Sequence, residues 1–458
     1  MSGVFILLDS DQTGSGILFL QKARDLGLRP ILASERPEKF SWLSEFEHAK
    51  LPRMSDEEVL GLARRLAPHL VEGVWSVRDK YVCLAARVAR AIGKTAARPE
   101  AIEISSDKLK TRQCLAQAGI NNVKFAHAQS RDEAARATND FGGRAIIKPR
   151  ALTGSIGVRL CRDEEEARLH FDYLAEREPS VRELGVLVEE AIEGPQFSVQ
   201  IFDGRAIGVT RQDVGPSPAF ITVALDFPWL ADERVHRDLV RHAEQAIAAV
   251  GHTRGPGSVD LRHDDKGPRV LEINPRLAGD MIPENIRLAT GIDVVEATIR
   301  FACGMAYDLK PRHNRGSATR WFLRPDQPIH DLTGADAASA VSGVTHVRLF
   351  PNSYKRTGPA TDYRDRLAFV TSEGESPEEA GVIAETGLRH LAATPSKSAS
   401  ISTGTRHQLS FWRRLVKRGR RSLRLSFVGL SRTIDSANGL FSNRQRLARR
   451  SAKPSGPN

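Results

Sequence analysis

The most informative part of the chain is a run of twenty residues, Gly257-Ser-Val-Asp-Leu-Arg262, His263-Asp-Asp-Lys-Gly267 and Arg269-Val-Leu-Glu-Ile-Asn-Pro-Arg276 with Pro268 between the last two. Two strand-like runs joined by a short polar turn that contains glycine predict a β-hairpin. A turn centred near residues 265–266 sets Asp260 opposite Leu271 or Glu272. Glu272 and Asn274 are two residues apart, so they share one face of their strand.

Two carboxylates and one amide therefore converge in this predicted hairpin. Like charges that face each other across two strands destabilise the pair unless a cation lies between them. Oxygen ligands of this kind, few in number, suit Mg²⁺, which takes its remaining ligands from water and nucleotide phosphates. We predict that Asp260, Glu272 and Asn274 bind Mg²⁺, with Mn²⁺ as the alternative ion. The competing interpretation is an exposed hairpin with solvated charges.

A second candidate site is a lysine at a strand end that leads into a Gly, Ser and Thr loop, Ile146-Ile-Lys-Pro149 and Arg150-Ala-Leu-Thr-Gly-Ser-Ile-Gly157. Gly154 and Gly157 permit close approach of the backbone to phosphates, and Lys148 supplies a point charge. Thr153 and Ser155 add donors. The loop is not a Walker loop, because GxxxxGK[ST] is absent. A phosphate-binding loop and a flexible hairpin turn are both consistent with this stretch.

A third candidate is the acidic connection between two predicted strands, Val188-Glu-Glu-Ala-Ile-Glu-Gly-Pro-Gln-Phe-Ser198. The backbone of such a connection is free to bind the edge of an adenine ring. Gln196 is placed to bond a ribose hydroxyl. The alternative is an acidic surface turn.

Composition and length indicate a soluble protein of about three domains. The chain has 458 residues, of which 40% are hydrophobic and 27% charged. The early apolar run Val4–Leu8 is far shorter than the ~20 residues of a membrane span. Four cysteines without a CxxC pair predict neither a disulfide framework nor a zinc site. These features predict a cytoplasmic protein.

The positive charge of the chain is concentrated at its C-terminal end. Residues 396–458 contain fifteen Lys and Arg against Asp435, so they carry +14, whereas residues 1–395 carry −3. Apolar groups among these arginines, as in Phe411-Trp-Arg-Arg-Leu-Val-Lys-Arg418, predict an amphipathic helix that binds an anionic membrane surface or nucleic acid. A solvated basic extension is the alternative.

Strands and helices alternate through the first 395 residues, which predicts an α/β fold. The first loop, within residues 9–16, lacks the third glycine of a dinucleotide fingerprint, so it predicts a tight turn, with a small polar substrate site as the alternative. Further expected helices are 17–26, 80–92, 108–117, 163–176 and 377–390. Further expected strands are 30–33, 71–77, 145–149, 186–190, 318–323, 344–349 and 367–371, and 392–404 is expected to be a linker.

Taken in order, these residues resemble the ATP-grasp superfamily. The likeness rests on Lys108, Lys148, Thr153–Gly157, Glu189-Glu190, Asp260, Glu272, Asn274 and Arg276. Further stretches resemble the L-amino-acid ligase branch of carboxylate-amine ligases: Leu277-Ala-Gly-Asp-Met-Ile-Pro283, Ala289-Thr-Gly-Ile-Asp293, Phe350-Pro-Asn and Tyr363-Arg-Asp-Arg366. The resemblance implies a pre-ATP-grasp domain at 1–100, an ATP-grasp domain at 101–305 and a C-terminal ligase subdomain at 306–395. The basic tail at 396–458 lies outside it.

The resemblance also implies a role for each matching residue. Asp260, Glu272 and Asn274 match metal ligands, and Arg276 matches a catalytic arginine. The residues implied in ATP binding are Lys108, Lys148, Thr153, Gly154, Ser155, Gly157, Glu189, Glu190, Ile192 and Gln196. A structural alternative for Arg276 is an ion pair with Asp280 or Glu284.

Three residues depart from the pattern of the family. Gln196 and Asp260 stand where many members have Glu, and Ser258 stands where histidine is common. Glutamine still bonds a hydroxyl, and aspartate remains a hard ligand. Ser258 leaves the substrate open.

The implied reaction is ATP-dependent joining of a carboxylate to an amine in an amide or peptide bond, through an acyl phosphate, with release of ADP and phosphate and with an amino acid as a substrate. The alternatives are a biotin-carboxylase-like enzyme that uses bicarbonate and a catalytically silent ATP-binding module. A homodimer is an expectation from the resemblance. The sequence leaves open which carboxylate and which amine are joined.

Overall fold

A computed structural model describes residues 3–10, 15–40, 42–66, 70–215, 217, 219–326, 328–356 and 360–395. The predicted basic tail at 396–458 and residues 11–14 of the first loop lie outside these residues. The strands are β1 (Val4–Leu8), β2 (Arg29–Ser34), β3 (Glu47–Lys50), β4 (Val71–Trp75), β5 (Phe125–Ala128), β6 (Ala145–Pro149), β7 (Arg159–Cys161), β8 (Val186–Glu190), β9 (Gln196–Phe202), β10 (Arg205–Val214), β11 (Thr222–Phe227), β12 (Pro256–Asp264), β13 (Gly267–Asn274), β14 (Gly316–Leu323), β15 (Ile329–Thr333), β16 (Val344–Leu349), β17 (Arg366–Gly374) and β18 (Ala392–Pro395).

The helices of these residues begin and end close to the predicted positions wherever a helix was predicted. They are α1 (Ser15–Asp25), α2 (Asp56–Arg65), α3 (Asp79–Ala91), α4 (Pro99–Ser106), α5 (Lys108–Gln117), α6 (Arg131–Asp140), α7 (Glu164–Arg177), α8 (Pro179–Leu184), α9 (Glu233–Ala249), α10 (Ile282–Thr290), α11 (Val294–Ala302), α12 (Ala335–Ser339) and α13 (Pro377–Arg389). Helix α5 begins at Lys108 because the Asp107 side chain accepts hydrogen bonds from the backbone N–H groups of Leu109 and Lys110. This cap places Lys108 in the first turn of the helix.

The N-terminal sheet is parallel, with strand order β3-β2-β1-β4. All five residues of β1 are buried, as expected for a central strand covered on both faces. Helix α3 follows β4, so its first residue, Asp79, lies beside the C-terminal edge of this sheet.

A second sheet of order β5-β8-β6-β7 is antiparallel. Its core packs against α6 and α7, and its two central strands carry Lys148 and Glu189. In the register of β6 and β8, Lys148 pairs with Leu187 and Ile146 pairs with Glu189. Lys148 and Glu189 are therefore diagonal neighbours on adjacent strands.

The largest sheet has eight strands in the order β13-β12-β9-β10-β11-β14-β17-β16. The predicted C-terminal strands are present, but they extend this sheet instead of forming one of their own, because β14 pairs with β11. Its edge at β11 is thereby covered. The C-terminal strands are consequently held in register with those that carry the predicted metal ligands.

The prediction of a linker at 392–404 is wrong for residues 392–395. Ala392–Pro395 forms strand β18, which pairs with β15 in a separate two-stranded sheet. Backbone pairing with a distant strand provides hydrogen bonds that the local Ala and Thr composition does not reveal.

Aromatic side chains pack the N-terminal sheet against the large sheet. Phe301 of α11 makes edge-on contacts with Trp75 of β4 and Phe202 of β9. Trp321 is buried in the same cluster. No helix among the described residues is both long enough and apolar enough to span a bilayer.

Candidate active site

The hairpin formed by β12 and β13 brings the predicted metal ligands together. Asp260 pairs with Glu272, and Ser258 pairs with Asn274. The predicted pairing of Asp260 with Glu272 is confirmed, and the alternative pairing with Leu271 is wrong. A register shift after Asp260 accounts for the difference, since it moves the following pairs by one residue.

Burial and the neighbouring carboxylate change the acidity of Asp260. Burial raises the pKa of Asp260 to about 7, a hydrogen bond from Ser198 opposes the rise, and Glu272 adds to it. Asp260 and Glu272 are therefore close enough to repel each other when both are ionised. A cation between them would relieve that repulsion.

The donor set of this hairpin fits Mg²⁺. The Asn274 Nδ2 donates to Ser258 Oγ at 3.4 Å, which leaves the Asn274 Oδ1 as its ligand atom. The described residues contain no cluster of three or more His, Cys, Asp or Glu side chains arranged to hold a metal. Two carboxylates and one amide oxygen make a partial shell, of the kind that a phosphate-bound Mg²⁺ completes with phosphate and water.

Two buried lysines converge on the same hairpin strand. The Lys108 Nζ lies 2.7 Å from Glu272 Oε1 and donates to the Leu152 carbonyl at 2.6 Å. The Lys148 Nζ lies 2.8 Å from Glu189 Oε2 and 3.2 Å from the Leu271 carbonyl oxygen. Helix α5, strand β6 and strand β13 thus place Lys108, Lys148 and Glu272 in one cluster.

A third buried cation, Arg112, escaped the sequence analysis. Arg112 is 1% exposed, and it donates to Glu189 Oε1 at 2.6 Å and to the Leu271 carbonyl at 2.8 Å. Its position four residues after Lys108 puts both side chains on one face of α5, which is the signal that was available. Its Nη1 is buried and has no hydrogen-bond partner among the residues that the structure describes.

The charge of this cluster is unbalanced. Three cations face Glu189 and Glu272, so the five groups carry a net positive charge when all are ionised. Burial would raise the pKa of Glu189, but Arg112 and Lys148 hold it below its usual range. An uncompensated buried cation is costly, and an anionic ligand removes that cost.

The side chains of the predicted adenine-binding segment make other contacts. Glu189 binds Arg112 and Lys148, whereas Glu190 pairs with Arg269 and accepts from the Lys124 backbone N–H at 2.8 Å. These ion pairs fasten β8 to α5 and to β13. The structure does not bring Glu190 into the lysine cluster.

Two further predicted nucleotide contacts are engaged within the protein. The Ile192 carbonyl accepts from Arg262 Nη1 at 2.9 Å, and Gln196 Nε2 donates to Gln212 Oε1 at 2.9 Å. The roles of Glu189, Glu190, Ile192 and Gln196 in ATP binding stay predictions.

The predicted phosphate loop is a tight left-handed turn. Gly154, Ser155 and Gly157 have φ values of 65°, 62° and 72°. Such angles favour glycine and strain serine. The Ser155 hydroxyl donates to the Phe220 carbonyl at 2.7 Å, and the Ile156 N–H donates to the Thr153 carbonyl at 3.3 Å.

The alternative prediction that Arg276 forms an ion pair with Asp280 or Glu284 is wrong. Arg276 Nε and Nη2 donate to the Asp79 carboxylate at 2.7 and 2.5 Å, in a bidentate pair. Asp280 instead binds Arg366, and Glu284 binds Arg287. Asp79 belongs to the N-terminal sheet region, and no sequence spacing connects it with Arg276.

Family models match two parts of the chain. An ATP-grasp domain matches residues 105–280, and L-amino acid ligase C-terminal domain 2 matches residues 321–393. The first range contains the lysine cluster and the hairpin. The second contains β16, β17 and α13.

Similar proteins agree with these matches. Protein y4rH of Sinorhizobium fredii is 29% identical over 397 residues, covering 85% of this chain and 83% of its own. Carnosine synthase 1 of Homo sapiens is 25% identical over 391 residues, covering 79% of this chain, but the chain spans only 47% of that protein. The crystal structure of an L-amino acid ligase from Bacillus licheniformis superposes with a TM-score of 0.73 at 17% identity, covering 86% of this chain and 99% of that one, which is a likeness of fold.

The predicted α/β architecture and the predicted family are both confirmed. ATP-grasp enzymes use ATP with Mg²⁺, and one solved structural neighbour contains MgADP. The lysine cluster and the oxygen ligands of the hairpin lie within the residues matched to the ATP-grasp domain. The chain therefore contains an ATP-grasp domain, followed by a C-terminal domain of the L-amino acid ligase type.

Proposed function

We propose that the chain joins the carboxylate of an amino acid to an amine, with conversion of ATP to ADP and phosphate. The observation that carries the proposal is the convergence of Lys108 and Lys148 on the strand that bears Glu272. The match to an L-amino acid ligase C-terminal domain supports an amino acid as the carboxylate substrate. The identity of the amine is not part of the proposal.

The buried cations are the proposed phosphate contacts. Lys108 and Lys148 pair with Glu272 and Glu189, and they would exchange these partners for phosphate oxygens when ATP binds. Arg112 holds Glu189 and the Leu271 carbonyl in place during this exchange. Asp260, Glu272 and Asn274 would hold the Mg²⁺, which neutralises phosphate charge.

The proposed chemistry has two steps. A carboxylate oxygen of the substrate attacks the γ-phosphorus of ATP, the bond to the β-phosphate oxygen breaks, and ADP leaves. The amine nitrogen then attacks the carbonyl carbon of the acyl phosphate, loses a proton and expels phosphate, which leaves an amide.

Arg276 is the proposed catalytic cation for both steps. Its bidentate pair with Asp79 fixes the plane of the guanidinium, and its Nη1 donates to the Leu277 carbonyl at 2.7 Å. A cation that is oriented before the reaction stabilises developing negative charge without reorganisation.

Three finer proposals concern location and assembly. The fifteen Lys and Arg of residues 396–458 support binding of that segment to an anionic surface, either a membrane or nucleic acid. A cytoplasmic location is proposed from the four cysteines without a CxxC pair, and a homodimer is proposed from the resemblance to the family.

The first prediction concerns Glu272. Glu272→Ala removes a proposed metal ligand and the partner of Lys108, so we expect amino-acid-dependent phosphate release to fall by at least about a hundredfold. The measurement is phosphate release from ATP and Mg²⁺ with pooled amino acids and with each pool member omitted. Asp265→Asn, on the exposed turn of the same hairpin, is the matched control.

Two outcomes of this assay would contradict the proposal. Phosphate release that needs bicarbonate instead of amino acids would favour a carboxylase, and nucleotide binding without turnover in any pool would favour a silent module. Loss of activity in Asp265→Asn as well would show that the effect is not specific to Glu272.

A second prediction separates Arg276 from nucleotide binding. Arg276→Lys keeps the charge but loses the bidentate pair with Asp79, so kcat should fall by about tenfold or more while the Kd for ATP stays within about twofold. Steady-state kinetics and calorimetric titration measure the two quantities. A raised Kd at unchanged kcat would make Arg276 a nucleotide-binding residue.

A third prediction concerns pH. Burial lowers the pKa of Lys148 to about 8; Glu189 opposes the shift, and Arg112 and Lys108 add to it. Lys148 is therefore charged below pH 8 and neutral above it, so the Kd for ADP without Mg²⁺ should rise by up to about tenfold per pH unit above pH 8. Titrations from pH 7 to 9.5 test this.

The control for this pH dependence is Lys148→Met. That variant should bind ADP weakly at pH 7 and show no rise in Kd across the same range. An equal rise in both proteins would assign the titration to another group.

The fourth prediction concerns the basic tail. The full chain should sediment with vesicles that contain anionic lipid, and a chain that ends at Pro395 should stay in the supernatant with its phosphate release unchanged. Binding to nucleic acid but not to vesicles would select the other anionic partner. Equal sedimentation of both chains would contradict a role for residues 396–458.

A further inference from the structure

A short segment of the C-terminal region, Asp362–Arg366, contacts the candidate site from two sides. Tyr363 packs on the phosphate loop, and Arg366 binds the turn that follows Arg276. Tyr363-Arg-Asp-Arg366 is one of the stretches that resemble the L-amino-acid ligase branch, and the proposed chemistry does not use it. We call Asp362–Arg366 the bridge segment.

The bridge segment stands on a rigid base. Asp365 is fully buried and accepts from Arg324 Nε and Nη2 at 3.1 and 3.0 Å and from Arg356 Nε at 2.8 Å. The side chains of Asp362 and Asp365 cap each other's backbone in one turn of helix. The position of Tyr363 is therefore set by the end of β14 and by the bridge segment itself.

Tyr363 covers the tightest part of the phosphate loop. Its backbone N–H donates to the Gly154 carbonyl at 3.3 Å. A Cβ at Gly154 would lie 2.4 Å from Tyr363 Cδ1 and 2.9 Å from Cε1, so the ring lies directly against the glycine backbone. Any larger residue at position 154 would displace the ring.

The loop is also tied to the large sheet and to its own helix. Ser155 donates to the Phe220 carbonyl, and the imidazole of His170 on α7 lies 2.9 Å from the Gly157 carbonyl oxygen. The contact with His170 stays within the smaller antiparallel sheet and its helices. Phe220 lies two residues before β11 and Tyr363 lies three residues before β17, so these two contacts connect the loop to segments that adjoin the large sheet.

Arg366 joins the same segment to the other side of the site. Its guanidinium donates to both oxygens of Asp280 at 2.5 and 3.0 Å and stacks over the Trp321 ring at 4.4 Å. Asp280 and Met281 have φ values of 59° and 68°, an uncommon backbone for two consecutive residues that are not glycine. The Arg366 pair stabilises this turn, which begins just after Arg276.

We propose that Tyr363 is a positioning residue that holds the Thr153–Gly157 loop closed and thereby keeps water from the acyl phosphate. The inference rests on the proposed function, because it assigns the closed loop a task within that reaction. If the loop opens early, water attacks the carbonyl carbon of the acyl phosphate. The carboxylate and phosphate are then released, and one ATP has been converted to ADP without an amide.

The test replaces the ring and keeps the backbone. In Tyr363→Ala we expect the ADP formed in excess of amide, divided by the amide formed, to rise by about three- to tenfold, the range that loss of one aromatic contact predicts. Tyr363→Phe should restore the wild-type ratio, because the contact is made by ring carbons. Val382→Ala, an exposed apolar residue on α13, is the matched control.

A second measurement does not depend on turnover. Hydrogen exchange of residues 151–158, measured with bound ADP and Mg²⁺, should be faster in Tyr363→Ala than in the wild type and unchanged in Tyr363→Phe and Val382→Ala. A merely destabilised fold would instead speed exchange throughout the chain, for example in the buried strand β1.

The outcomes separate the two hypotheses. An unchanged ratio of ADP to amide together with unchanged loop exchange in Tyr363→Ala would overturn the role of Tyr363. Failure of the wild type to form an amide with any amino acid would overturn the proposed function. The exchange comparison would still show whether Tyr363 holds the loop.

Discussion

The candidate site depends on buried cations that share one strand segment. Lys108 pairs with Glu272. Arg112 and Lys148 both bind the Leu271 carbonyl and the Glu189 carboxylate. Each cation comes from a different turn of α5 or from β6, so their common partners fix the helix, the smaller sheet and the hairpin relative to one another. Because the cations outnumber the carboxylates, the same interaction that organises the site also prepares it for an anion.

The C-terminal strands complete this arrangement from the opposite end of the large sheet. Pairing of β14 with β11 makes strands β14, β17 and β16 a continuation of the sheet that carries the hairpin. The bridge segment extends from this continuation, and its buried Asp365 is held by Arg324 at the end of β14. A rigid sheet thus supports Tyr363 and Arg366, while the loop that Tyr363 contacts is built from glycine and a strained serine.

The N-terminal sheet contributes through the bidentate pair of Asp79 with Arg276. Asp79 at the start of α3 orients Arg276. Arg276 lies two residues after Asn274, the last residue of β13. The aromatic packing of Trp75 against Phe301 holds this sheet against the large one. The orientation of Arg276 near the proposed reacting centre therefore depends on Asp79. Asp79 belongs to the N-terminal region, whose described residues bind neither Lys108 nor Lys148.

Local sequence determined the elements and the hairpin. The cap at Asp107, the turn near residue 265 and the period of two on β13 are short-range features, so the start of α5 and the placement of Asp260 opposite Leu271 or Glu272 followed from the chain itself. The register shift after Asp260 selected Glu272. Tertiary structure decided the partners of the charged groups. The pairs of Arg112 with Glu189, Arg276 with Asp79 and Arg366 with Asp280 join residues 77, 197 and 86 positions apart. Local patterns carry no record of such distances, because only the packing of sheets brings these side chains within reach of each other.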